Sequence, residues 1–121
     1  MTDMPENAAV EQRLAAERAA TLTQIDALTR DFQSIVDANA LVAVDDEHDP
    51  DGSSTAFERA HVSSLLTQAR QHLDHLDEAL VRLNEGRYGV CERCGAEIPA
   101  ERLEARPAST RCVGCVGAAQ R

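Results

Sequence analysis

Residues 55–86 read TAFERAHVSSLLTQARQHLDHLDEALVRLNEG, and the spacing within this stretch decides the fold. It has no Pro and no Gly before Gly86, the residues that would break a helix. Thr55-Ala56-Phe57-Glu58 has the form of a capping box at a helix start, and Gly86 is placed as a C-terminal cap. Between these ends Val62, Leu66, Ala69, Leu73, Leu76, Leu80 and Leu83 follow one another in steps of 4, 3, 4, 3, 4 and 3. That is an uninterrupted heptad seam, and a helix with one apolar stripe must cover it.

The cover lies upstream in the same chain. From Leu14 to Ile35 the sequence is rich in Ala, Leu, Gln, Glu and Arg, again without Gly or Pro, and Leu14, Arg18, Thr21, Ile25, Leu28, Phe32 and Ile35 repeat the rhythm. Pro5 suits the start of this helix, where a missing N–H costs nothing. If the two helices fold back on each other, the pairs 35/62, 32/66, 28/69, 25/73, 21/76, 18/80 and 14/83 have residue numbers that add to 97 or 98 throughout. A constant sum is the signature of an antiparallel hairpin. The reading is therefore a coiled-coil hairpin over 12–86 with its tip at 43–54, preceded by residues 1–11 as a tail or the start of the first helix.

The fold-back point falls in Asp45-Asp46-Glu47-His48-Asp49-Pro50-Asp51-Gly52, where Pro50 and Gly52 are turn formers. Five carboxylates crowd there: Asp45, Asp46, Glu47, Asp49 and Asp51. One reading is a solvated acidic turn. The other is an effector tip, because such crowding repels itself and a partner or a metal ion would give a reason to keep it. It is not an EF-hand, since the required Gly and closing Glu are absent at their offsets.

After the hairpin come Cys91-Glu92-Arg93-Cys94 and Cys112-Val113-Gly114-Cys115, two C-x2-C knuckles 17 residues apart. This is the spacing of a structural zinc site. Two residues between thiolates let one tight turn aim both sulfurs at a single ion, and two turns close a tetrahedron that leaves no position for an activated water. One structural Zn2+ held by Cys91, Cys94, Cys112 and Cys115 is predicted, and metal binding is then the folding energy of the module over 87–121. Gly89 and Gly95 flank the first knuckle, where the backbone must turn sharply. Ile98 and Leu103 are the expected small core, packed against Tyr88 and the end of the hairpin. Arg102 and Arg106 stand at i and i+4, giving either a cationic face for an anion or surface pairs with Glu101 and Glu104.

Composition narrows the function. The chain has 121 residues, one Tyr, two Phe and no Trp, so it lacks the bulky side chains of a large enzyme core. Its formal net charge is -9, divided as 6 Arg against 17 acids over 1–86 and 6 Arg against 4 acids over 87–121. A hairpin at -11 beside a module at +2 supplies too little cation for direct nucleic-acid binding, and stacking aromatics are missing. No nucleophile and base arrangement or phosphate loop points to an enzyme. No apolar run approaches the roughly 20 residues of a membrane span, and the N-terminus has Asp3 and Glu6 in place of a basic leader, so the expected location is cytoplasmic.

The acidic-tipped hairpin followed by Arg87-Tyr88-Gly89-Val90-Cys91-Glu92-Arg93-Cys94-Gly95, then Ile98, Arg102-Leu103-Glu104-Ala105-Arg106-Pro107 and the second knuckle, closely resembles the DksA/TraR family. The resemblance is detailed over residues 86–115 and architectural over the hairpin. It implies a mainly α fold, with a long antiparallel hairpin, a four-cysteine zinc finger and a short C-terminal helix. It also implies a transcription regulator that binds RNA polymerase rather than DNA, its hairpin in the secondary channel and its zinc module on the rim. From Ser53 to Gly86 a helix would extend on the order of 50 Å, a suitable reach.

Carried over residue by residue, the resemblance is incomplete. The family tip pattern is Asp-x-x-Asp-x-Ala. Counting back from Cys91 puts its second Asp on Asp51, its Ala on Ser53 and its first Asp on His48; shifted by two, Asp46 and Asp49 match and Asp51 takes the Ala position. Of the basic residues that contact guanosine tetraphosphate in some members, Arg106 is retained, while two Lys positions fall on His75 and Val116. Weak or absent dependence on that alarmone is the expectation. Two other readings of the residues remain open: a thiol-based redox or metal sensor, and a coiled-coil adaptor with a structural zinc site. His72 and His75 read as solvated positions beside the seam.

Overall fold

A computed structural model describes residues 4–45 and 51–119, with side chains over 7–38, 40 and 54–116. Four helices account for most of them: α1 (Met4–Asp45), α2 (Asp51–Asn84), α3 (Ala100–Ala105) and α4 (Val113–Ala119). The fold is mainly helical, as the seam predicts. Residues counted as a tail or the start of the first helix are helical from Met4, with Pro5 in the first turn. α2 begins four residues before the capping pattern at Thr55 and so includes Asp51 and Gly52. An acidic first residue is favoured by the positive end of the helix dipole, and the first turn needs no N–H partner within the helix.

The chain divides into two compact units. One contains residues 20–72. Here the α2 seam is buried at Val62, Leu66 and Ala69, and Ile25, Leu28, Phe32 and Ile35 of α1 are half-buried on the same period. Phe32 and Leu66, an expected pair, line one open groove together with Thr29, Gln33, Ser63, Thr67 and Arg70. Of the five tip acids, Asp45 ends α1 and Asp51 opens α2, while Asp46, Glu47 and Asp49 lie outside the described residues.

The other unit joins the chain up to Ala19 with Leu73–Arg121. Its core is Leu14 and Leu76, both fully buried, with Ala79 and Leu83; Val10, Leu80, Tyr88 and Ala108 pack against them. The expected pair 14/83 is thus present. Arg18, the seam position expected opposite Leu80, is half-buried and its Nε donates to Asp77 Oδ1, one turn before Leu80 on α2. α2 stops at Gly86, whose φ of 74° is the left-handed conformation that a helix stop requires. The Gly86 N–H reaches Leu83 O at 3.2 Å and the Arg87 N–H reaches Arg82 O at 2.8 Å, the paired bonds of a Schellman motif.

Candidate metal centre

The Schellman turn delivers the chain directly to the first knuckle. Arg82, only 4% exposed, turns its guanidinium over this junction and donates to the carbonyls of Arg87 and Val90. Two carbonyl acceptors satisfy the buried guanidinium, and they lock the last turn of α2 to the segment before Cys91. Sequence reading passed over Arg82 because it sits beside the seam; its spacing one step from Leu83 was the available signal.

Local bonds then shape the knuckle. The Cys91 N–H donates to Ala96 O at 2.8 Å, Gly95 N–H to Cys91 O at 2.9 Å and Ile98 N–H to Gly89 O at 2.8 Å, around an isolated antiparallel bridge between Val90 and Glu97. Gly89 and Gly95 have φ of 84° and 79°, so both flanking glycines are required by the backbone itself. A side chain at Gly89 would also meet Leu103, 3.6 Å away. Ile98 is buried as expected. Tyr88 packs on the Leu14–Leu76 core at the end of the hairpin, and its hydroxyl donates to Pro107 O at 2.7 Å.

The second knuckle opens α4, where the Cys115 and Val116 N–H groups turn back to Cys112 O at 3.1 and 3.0 Å. It meets the first: the sulfurs of Cys91, Cys94, Cys112 and Cys115 all lie within 4.8 Å of one another. Cys94 Sγ and Cys112 Sγ are 3.7 Å apart. Sulfurs bonded to zinc at about 2.3 Å in a tetrahedron stand about 3.8 Å apart, whereas a disulfide needs about 2.05 Å. The spacing is that of a metal tetrahedron, and all four cysteines are free. Backbone N–H donation, from Cys112 first and then Cys94, holds the Cys91 thiol down to about 5. Cys115 is pushed up to about 12, because hydrogen bonding with Cys112 first, then Cys91 and Cys94, favours its protonated form. One thiolate forms readily and the last forms against its neighbours, a conflict that a bound dication removes. Four thiolates, with no other candidate ligand in the cluster among the described residues, make this a closed structural zinc site.

The link between the knuckles is a second finding that spacing did not show. The Glu92 N–H donates to Thr110 O at 2.8 Å, and Glu92 Oε2 accepts from Thr110 Oγ1 at 2.8 Å and Arg111 Nε at 3.0 Å. These donors, Thr110 first, hold the Glu92 carboxyl below its ordinary range. The position of Glu92 inside C-x2-C was visible, its partners 18 and 19 residues away were not.

Arg102 lies on α3, and its Nε donates to Arg111 O at 3.0 Å. Arg106 is the exposed residue just past that helix, so the two do not form one helical face. No ion pair joins either to Glu101 or Glu104 among the described residues. Glu104 instead offers its carbonyl to Arg13. His72 is half-buried and His75 exposed.

Comparison with known proteins agrees with this construction. Residues 86–121 match the family model of the prokaryotic dksA/traR C4-type zinc finger. The Bacillus subtilis protein YteA is 40% identical over 65 residues, which is 54% of this chain and 27% of that protein. The RNA polymerase-binding transcription factor DksA of Caulobacter vibrioides is 38% identical over 63 residues, 52% of this chain and 44% of that protein. The chain thus matches less than half the length of these relatives. The structure of transcription factor DksA2 from Pseudomonas aeruginosa shares the fold, with a TM-score of 0.78 at 24% identity over 98% of this chain and 85% of that one.

Proposed function

We propose that this chain is a DksA/TraR-family protein and a cytoplasmic transcription regulator that binds RNA polymerase directly. The observation that carries the reading is the zinc module at 86–121 following two long helices, in a chain with the DksA2 fold. In this reading the zinc module rests at the rim of the secondary channel, and the hairpin carries Asp45, Asp46, Glu47, Asp49 and Asp51 toward the catalytic region. Carboxylates there would act on the bound Mg2+ ions or on the mobile elements around them.

Charge supports a protein partner over DNA, because 21 acids face 12 arginines. The metal site is closed and offers no catalytic position, so regulation, not catalysis, is the proposed role. Among the described residues no helix is long and apolar enough to cross a membrane. The family resemblance retains Arg106 but places His75 and Val116 where two alarmone-contacting Lys would stand, so weak or absent response to guanosine tetraphosphate is the expected behaviour.

The test is a pull-down with purified core RNA polymerase, followed by transcription initiation assays, on the wild type, Asp49→Asn and Asp51→Asn. Binding by all three, with the effect on initiation lost only in the tip variants, is expected. A wild-type chain that does not bind would overturn the reading.

A further inference from the structure

The two knuckles are joined by more than the metal. Glu92 stands between the ligands Cys91 and Cys94, while Thr110 and Arg111 immediately precede the ligand Cys112. One carboxylate oxygen of Glu92 accepts from both Thr110 Oγ1 and Arg111 Nε, and the Glu92 N–H donates to Thr110 O. Behind this contact Arg102 Nε takes the carbonyl of Arg111, so α3 grips the same residue from its other side. Three hydrogen bonds between the knuckles and a fourth from α3 therefore fix the approach of Cys112 independently of its sulfur.

We propose that Glu92 is a positioning residue for zinc retention: its carboxylate clamps the two knuckles together through Thr110 and Arg111, so that the metal cannot leave by simple separation of its two cysteine pairs. The physical reason is sequential dissociation. A four-thiolate site loses its ion when one pair of sulfurs swings away and a competitor enters. Here that swing must also break charge-assisted bonds that have no metal in them, and a pair that swings partway is returned by the clamp before the ion is lost. Partners outside the ligand set are typically worth about 10–100-fold in metal affinity. The inference stands on the zinc site alone, so it holds or fails independently of polymerase binding.

Zinc release from the intact, zinc-loaded chain to an excess of a colorimetric chelator tests it. Glu92→Ala is expected to speed release by about 10-fold or more, with Glu92→Gln intermediate because a neutral amide oxygen still accepts from both donors. Arg111→Ala should speed release too, and Glu92→Ala with Arg111→Ala should be less than multiplicative, since both remove one contact. Asp26→Ala, which removes an exposed pair with Arg30 on α1, should release zinc at the wild-type rate. Should Glu92→Ala fail to load zinc, Glu92→Gln and Arg111→Ala carry the test. Wild-type release rates in the loadable Glu92 and Arg111 variants would overturn the proposal, as would faster release matched by an equal fall in the thermal midpoint of the helical signal in all of them.

Discussion

The unit formed by residues 20–72 and the unit that holds the zinc module are built from the same two helices and yet are held by different physics. Over 20–72 the buried seam residues are Val62, Leu66 and Ala69, facing half-buried apolar side chains, and Thr29, Arg30, Gln33 and Thr67 each bond four residues away along their own helix. In the other unit, contacts reach across the sequence: Arg13 to Glu104, Arg18 to Asp77, Tyr88 to Pro107 and Glu92 to Thr110. Non-local bonds of this kind specify one arrangement, whereas an apolar stripe with local polar bonds specifies a helix and a face. A regulator of the proposed kind needs both, an address fixed in detail and a hairpin fixed mainly in its length and charge.

Metal removal should separate the two most strongly. A structural zinc in such modules is worth about 10–16 kcal/mol of apparent binding free energy, which is also the folding energy of the segment that holds it. Stripping zinc, or replacing Cys91 by Ser, is expected to abolish amide hydrogen-exchange protection over 87–116 while most of the helical circular dichroism persists. Equal loss of protection over 20–72 would break the comparison, because it would make the chain one cooperative unit.

A smaller contrast lies in the seam. Leu76 is fully buried among Leu14, Ala79 and Leu83, while Leu66 is buried beside an open groove that it lines with Phe32 and Arg70. Leu→Ala in a core costs about 2–5 kcal/mol, more where the surroundings cannot close on the cavity. Leu76→Ala should fall near the upper end and Leu66→Ala near the lower, measured by urea unfolding of zinc-loaded protein. Reversal of that order would show that the groove is better packed than its open walls indicate.

The same division governs what the sequence reveals. The heptad steps from Val62 to Leu83 and the C-x2-C pairs are periodic or local signals, and the helices and the four-sulfur cluster follow from them. Register was legible too, in 14/83 and 32/66, because apolar residues recur at fixed spacing. The start of α2 at Asp51 was not, since Gly52 and the serines after it read as turn residues until the helix dipole is weighed. Nor were Arg82, Arg18 and the Glu92 clamp. A polar side chain's partner depends on which carbonyl or hydroxyl the tertiary fold brings to it, and no spacing rule carries that information.

Tyr88 is the sharpest small probe of this boundary between pattern and fold. Its ring packs on the Leu14–Leu76 core and its hydroxyl donates to Pro107 O, so one side chain ties the hairpin base to the loop before the second knuckle. Tyr88→Phe keeps the ring and loses the bond, an expected cost of about 1 kcal/mol. Burial raises the Tyr88 hydroxyl above its ordinary 10.0; the Arg13 guanidinium opposes the shift and Glu17 adds to it. Because the folded value exceeds the unfolded one, the stability linked to Tyr88 is fully present below pH 10 and is lost as pH rises through the folded value. The chain has one Tyr and no Trp, so near-ultraviolet tyrosinate absorbance reports this residue alone. The midpoint should lie above that of the denatured chain, and coincident midpoints would mean that Tyr88 titrates in water and that the hairpin base and the zinc module are not joined through it.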